Sequence, residues 1–346
     1  MNLTSQYIVN PKVKKAYSNS NATYQSIQSS YSKIRLNEAR EFLKPNRIRH
    51  VSFGISDVIF KMIYCQNGFM VDDLDFSEHE YDDDESQEYD EDEYYDDDND
   101  NDDSQVESED EYHKPKRLIS INQSFLLGET EVTQELFEKA MGFNPSKYQG
   151  IHYPNSHKRP VDNVTWYDAV MFCNKLSERL NKKPYYNISN ETYASSSSLS
   201  NIIHADVTCN LNSNGFRLPL GKEWVYAAKA GTNNQWAGTD NVSELKKVAW
   251  YEKNSNYTQP VKGKRPNEWG FYDMSGNVRE WLWEWSEPAQ YDLGLLNLFG
   301  NSISRNTLGG GVMDFDETLI NFKRSPLQPN TRLEYLGFRI ALYPFK

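Results

Sequence analysis

The sequence predicts an α+β domain rich in ordered loops, and three observations carry that expectation. Segments near 133–141, 165–180 and 219–230 place apolar residues at helical spacing behind a Thr or Pro start. Leu118 to Phe125 alternates apolar and polar residues, as a half-buried strand does. After Gly231 long periodicity gives out and the chain turns rich in Gly, Asn, Trp and Tyr. That composition builds short strands and long loops pinned by buried aromatics.

Charge divides the chain. Its formal net charge is −13, yet residues 72–112 hold 24 Asp or Glu and no Lys or Arg. The rest of the chain carries 26 acidic against 37 basic residues. Three parts are expected: a basic N-terminal arm (1–71), an acidic linker (72–112) and a nearly neutral domain (113–346). In the arm, Ser26 to Leu43 reads as an amphipathic helix stopped by Pro45. Val51 to Val71 suits a strand or a short helix after Ser56 and is too small for a core of its own, so docking on the domain is expected. The acidic tract cannot bury enough apolar area to offset chain entropy, and its charges repel, so a disordered spacer is expected. Its charge, with Tyr81, Tyr89, Tyr94 and Tyr95 interspersed, offers a contact to a basic partner or to the arm. Nucleic acid is not an expected partner of Lys12, Lys14, Lys15, Arg35, Arg40, Arg47 and Arg49, because the tract competes with phosphates for them.

Cys65, Cys173 and Cys209 are too few for a disulfide framework. The N-terminus lacks a basic-then-apolar leader and no run of about 18 apolar residues occurs, so a cytoplasmic protein without a membrane span is expected. Within the domain, Thr133 caps a helix carrying Leu136, Phe137 and Met141 and ending near Gly142. Thr165 caps a second, Trp166 to Leu180, with Ala169, Val170, Phe172, Cys173 and Leu176 inward; there Cys173 is a small buried hydrophobe. Pro219 to Ala230 forms a third, with Trp224, Ala227 and Ala228 inward. Asn187 to Asn201, with its serine run at 195–198, reads as a surface insertion. No dinucleotide, Walker, hydrolase-elbow or Cys-x-x-Cys pattern appears.

Phe271-Tyr272-Asp273-Met274-Ser275-Gly276-Asn277-Val278-Arg279-Glu280-Trp281 is the densest segment. Two carboxylates flank a flexible Ser-Gly-Asn centre. Such a loop can aim oxygens at a hard cation such as calcium, or can be a tight turn whose acids cap backbone N–H groups. The stretch alone leaves both readings open.

Glu129–Thr133, Pro160–Trp166, Gly215–Pro219 running into Glu223–Ala228, this block, Gly309–Gly311 and Leu336–Arg339 appear in a fixed order along the chain. Together they resemble the formylglycine-generating enzyme, or sulfatase-modifying factor, family. The resemblance implies a loop-heavy C-type-lectin-like fold. It also implies a calcium ion held by Asp273 and Glu280 side chains and Gly276 and Val278 carbonyls, as a structural ion. Active members bind copper through two cysteines, and a soft ion of that kind needs thiolates. Here Asp314 falls where the first thiol belongs and Leu319 near the second. Gly311 replaces the family serine, and Arg279 stands at a family aromatic position. No copper and no formylglycine generation are expected. Ligand-binding proteins diversified by retroelements resemble the same fold. The chain is therefore expected to be a non-catalytic binding or structural protein, with a protein or small-molecule ligand and with Arg279, Asp314 and Phe315 as contacts. Loops 286–307 and 312–323 would form the face, with Trp283, Trp285, Tyr291 and Phe299 as further candidates. The alternative is a metal-dependent oxidoreductase of altered chemistry using Asp314, Asp316 and Glu317, with His152, His157 or His204.

Overall fold

In the computed structural model, residues 50–72, 117–194, 202–286 and 304–344 are described. The helix expected at 26–43, residues 73–112 of the acidic tract and the serine run lie outside them. Two hydrophobic stripes starting at His50 make a hairpin. Strand β1 (His50–Ile55) pairs antiparallel with β2 (Val58–Cys65) across a tight turn in which Ser56 has φ 55°. Next, β2 pairs with β5 (Phe125–Gly128), and β5 with β12 (Ala341–Leu342), giving a four-stranded sheet in the order β1-β2-β5-β12. Val51 to Val71 is thus strand rather than helix, and Met62, Ile63 and Cys65 lie buried against the domain. Residues 50–72 thus pair with strands of the following domain.

Strand β3 (Gly68–Asp72) pairs antiparallel with β4 (Arg117–Ile121), with Asp72 in register with Arg117. The described chain on either side of residues 73–116 therefore meets in one ladder. The single strand expected over 118–125 is two, β4 and β5, because the chain bends at 122–124 and β5 joins a different sheet. Within the surface insertion expected at 187–201, the described residues form strand β6 (Tyr186–Tyr193), which pairs with β7 (Ile202–Cys209). Buried Tyr186 and Ile202 anchor it, while its outer residues stay exposed.

Three helices follow their sequence signals. In α1 (Gln134–Met141) the Thr133 hydroxyl accepts from the Leu136 N–H, and Gly142 closes the helix at φ 86°. Helix α2 (Trp166–Arg179) starts on a Thr165–Asp168 capping box. Helix α3 (Gly221–Lys229) begins two residues after Pro219, where the Glu223 carboxylate accepts the Leu220 N–H and also grips Arg217 through both guanidinium branches. Cys173 is fully buried on α2, and burial pushes its thiol well up, so it packs and does not react.

The second four-stranded sheet positions the site. Its order is β10-β9-β8-β11, with β8 (Arg279–Trp285) antiparallel to β9 (Arg305–Leu308) and parallel to β11 (Leu336–Gly337); β10 is Ser325–Leu327. Strand alternation makes β8 the partition between two cores. Trp281 enters the core holding Phe137, Phe172 and Phe338, whereas Leu282 enters the one holding Phe125, Trp224 and Phe271. Among the described residues no helix is long and apolar enough to cross a membrane.

Candidate functional site

The 271–281 block turns sharply before β8. Gly276 has φ 85°, and a Cβ there would lie 2.2 Å from the Trp250 carbonyl oxygen, so only glycine fits. Asn277 locks the turn by donating to the Gln259 carbonyl and accepting the Gln259 N–H. Glu280 is fully buried and both its oxygens are used: Arg339 donates from Nε and Nη2, each at 2.6 Å, and Trp224 donates from Nε1 at 2.7 Å. Arg339 also reaches the Gly128 and Tyr272 carbonyls, so this ion pair stitches the two four-stranded sheets together. Glu280 is consequently not a free cation donor, which corrects one of the four donors expected from the sequence.

The other acids differ. One Asp273 oxygen accepts the Lys262 N–H at 2.9 Å, while its Oδ1 is buried without a partner. Both carboxylate oxygens of Glu131 are likewise buried and unpartnered. Burial pushes the Asp273 carboxyl up to about 6 and, with the Asp273 charge nearby, raises Glu131 well above the carboxylate range. Three carboxylates against one guanidinium leave a surplus of two negative charges when all are ionised. Hard oxygens with that surplus are the kind a calcium-like ion takes, and Asp273 and Glu131 are the side chains that would hold one. No group of three or more His, Cys, Asp or Glu side chains forms a metal-type cluster among the described residues, so main-chain oxygens would have to complete the shell. Glu131 was missed from the sequence, although it stands in the Glu129–Thr133 block that carries the resemblance.

Three of the positions expected to depart from the family pattern, Gly311, Arg279 and Asp314, meet one another. Arg279 Nε donates to Asp314 Oδ2 at 2.7 Å, and its Nη2 pairs with Oδ1. The Gly311 N–H donates to the same Oδ2 at 2.8 Å. A Cβ on Gly311 would lie 3.0–3.1 Å from the carbonyl, Cβ and ring of Tyr335, so a serine there needs Tyr335 to give by a few tenths of an ångström. The Tyr335 carbonyl in turn accepts the Arg279 N–H at 2.8 Å. Burial works against the Arg279 charge, but bonds to Asp314 overcome it and hold the guanidinium above its usual value. Leu319, near the second thiol position, is wholly buried with Trp236 and Leu245. An ion pair and a buried leucine occupy the segment where the resemblance places the family's cysteine pair.

This arrangement changes the expected contacts. Arg279 and Asp314 spend their charges on each other, with side chains only 17 % and 9 % exposed, and are not open ligand contacts. Phe315 and Met313 remain open at 62 % and 46 %. Asp316 pairs with Lys253 at 3.1 Å and Glu317 faces solvent, so the three acids diverge. His152 and His157 are exposed in another loop, and His204 sits on the β6–β7 pair near Asp206. Trp283 packs half-buried between Trp166 and Tyr186, while Trp285 covers the Arg305 guanidinium at 3.4 Å. Tyr291 and Phe299 lie outside the described residues.

The family model "Sulfatase-modifying factor enzyme 1-like domain" matches residues 92–343. The chain belongs to the sulfatase-modifying factor family. It is 43 % identical over 183 residues to "Chaperone protein LppX" of Paenibacillus barcinonensis, covering 46 % of this chain and 62 % of that protein. It is 29 % identical over 155 residues to the formylglycine-generating enzyme of Streptomyces coelicolor, covering 39 % and 49 %. The chain thus spans less than two thirds of the length of these curated relatives. Among solved structures, Treponema denticola variable protein 1 superposes with a TM-score of 0.65 at 30 % identity, covering 85 % of this chain and 99 % of that one. PvdO from Pseudomonas aeruginosa, at 16 % identity and a TM-score of 0.55 over 86 % and 100 % of the two chains, shares the fold alone. The fold is that of the formylglycine-generating enzymes, as the ordered blocks predicted.

Proposed function

We propose that this sulfatase-modifying factor homologue is a non-catalytic binding protein whose ligand is another polypeptide. The observation that carries the proposal is the Gly311–Asp314–Arg279 unit, closed on itself by hydrogen bonds in the segment where the resemblance puts the family's copper-binding thiols. A soft copper ion finds no thiolate there. The exposed Met313–Phe315 edge gives an adaptable apolar contact on the same loop. A relative named as a chaperone supports a protein ligand. Calcium would serve as a structural ion at Asp273 and Glu131, neutralising buried charge. Three cysteines without disulfides suit a reducing, cytoplasmic setting. The oxidoreductase alternative draws no support from acids that point to different partners.

The test uses the full chain as bait in cross-linking capture from its native source. A partner captured by wild type and lost with a Met313→Ser, Phe315→Ser double variant supports the reading. A cysteine-containing peptide converted to its aldehyde by the purified protein, with copper and oxygen, sinks it.

A further inference from the structure

Lys262 joins the two chain segments that carry the unpartnered acids. Its backbone is left-handed, with φ 66°. Its N–H donates to Asp273 Oδ2 at 2.9 Å, and its ammonium reaches the Glu129 carboxylate. The same ammonium lies 5.5 Å from the centre of the Tyr272 ring. One residue therefore brackets the 129–133 and 271–281 blocks. Main chain closes the same junction, because the Glu129 carbonyl accepts the Tyr272 N–H at 3.0 Å.

Exposure falls in steps across this bracket. The Lys262 side chain is 40 % exposed and that of Glu129 9 %, while Asp273 and Glu131 retain 3 % and 2 %. The ion pair thus lies at the solvent edge, and Asp273 Oδ1 and both Glu131 oxygens are buried without partners behind it. Lys262 also acts on Asp273 at a distance. Burial raises the Asp273 carboxyl, and the Lys262 N–H and charge both work against that rise. Arg339 and Lys264 lie in range of Asp273 as well, but each is committed elsewhere. Arg339 grips Glu280, whereas Lys264 stacks 3.7 Å over Trp250 and donates to the Lys246 carbonyl.

We infer that Lys262 sets the affinity of the Asp273–Glu131 pocket for a divalent cation, as a tethered positive charge that opposes the incoming ion. The inference rests on the cation reading given above and deepens it, because it names a residue outside the donor set. Coulomb energy scales with the product of the charges, so a divalent ion feels the ammonium twice as strongly as a monovalent one. A lysine free in solvent would be largely screened. Glu129 holds this one in place, so its charge stays near the pocket. Removing the ammonium alone also leaves the Glu129 charge unbalanced beside the buried acids, and both effects favour the cation.

The test is calorimetric titration of calcium into the full chain at low ionic strength. Lys262→Gln should tighten calcium binding about threefold or more. Lys262→Asn, which suits a left-handed backbone, should do the same. Lys262→Arg keeps the charge and should bind as wild type does. Lys175→Gln breaks an exposed ion pair with Glu178 on α2 and should leave the affinity unchanged. Calcium binding that Asp273→Asn abolishes but Lys262→Gln and Lys262→Asn leave unmoved overturns this inference alone, as does equal tightening by Lys175→Gln. Binding that survives Asp273→Asn, or no calcium binding by any of these chains, overturns the cation reading and this inference with it.

Discussion

Asp314→Ala removes the acceptor shared by Arg279 and Gly311, and its cost follows from the geometry. Breaking a fully buried ion pair by deleting one partner costs about 3–5 kcal/mol, because the surviving charge stays desolvated. Arg279 retains 17 % of its side-chain exposure, so water can partly reach the guanidinium, and the lower end of that range applies. The expected loss is about 3 kcal/mol, including the orphaned Gly311 N–H. For a domain of this size each kcal/mol moves the melting midpoint by roughly 2–4 °C, so a drop of about 6–12 °C is expected. Urea denaturation of the full chain followed by tryptophan fluorescence measures it. Arg279→Leu with Asp314→Leu should recover most of the loss, because the charge and its partner leave together. A loss below about 1 kcal/mol for Asp314→Ala, or a double variant as unstable as the two singles summed, refutes the idea that the pair locks the 309–315 loop onto β8.

Restoring the family serine with Gly311→Ser should cost about 1–3 kcal/mol by overpacking against Tyr335, and Tyr335→Ala should relieve it; equal cost in both backgrounds refutes the packing argument. Adding calcium at about a hundred times its dissociation constant should stabilise the chain by about 2.7 kcal/mol, and Glu131→Gln should remove that gain while Lys183→Glu leaves it intact. Asp162 is held up to about 7, chiefly by burial and against the Lys147 and Tyr148 N–H groups it accepts. A raised carboxyl means the native state binds the proton more tightly, so stability falls as pH rises from about 4 to about 7 and then levels. That contribution is on the order of 4 kcal/mol, and Asp162→Asn should flatten the slope in melting curves across the same range.

The helices were legible because their signals are local. Thr133, Thr165 and Gly142 act on neighbouring backbone, and the structure uses each as its type predicts. The fold was legible from blocks whose residues are framework: Glu280 and Arg339, from two of them, form the ion pair at the centre. Sheet membership was less legible. Nothing local tells Val58–Cys65 to lie beside Phe125–Gly128 across an intervening acidic tract, nor that Asp72 faces Arg117. The altered site was half legible. The sequence marks Gly311, Asp314 and Arg279 as departures one by one. That Arg279 answers Asp314 is a pairing across 35 residues of chain, and spacing does not encode it. Glu131 escaped for a related reason: its significance lies in having no partner, which only packing reveals.

Copper(I) titration of the full chain against a colorimetric chelator, with a cysteine-containing peptide and oxygen present, tests the central claim most directly. A site closed by Arg279 and Asp314 predicts no copper taken from the chelator and peptide recovered with its sulfur intact. Stoichiometric copper binding together with aldehyde in the peptide contradicts it.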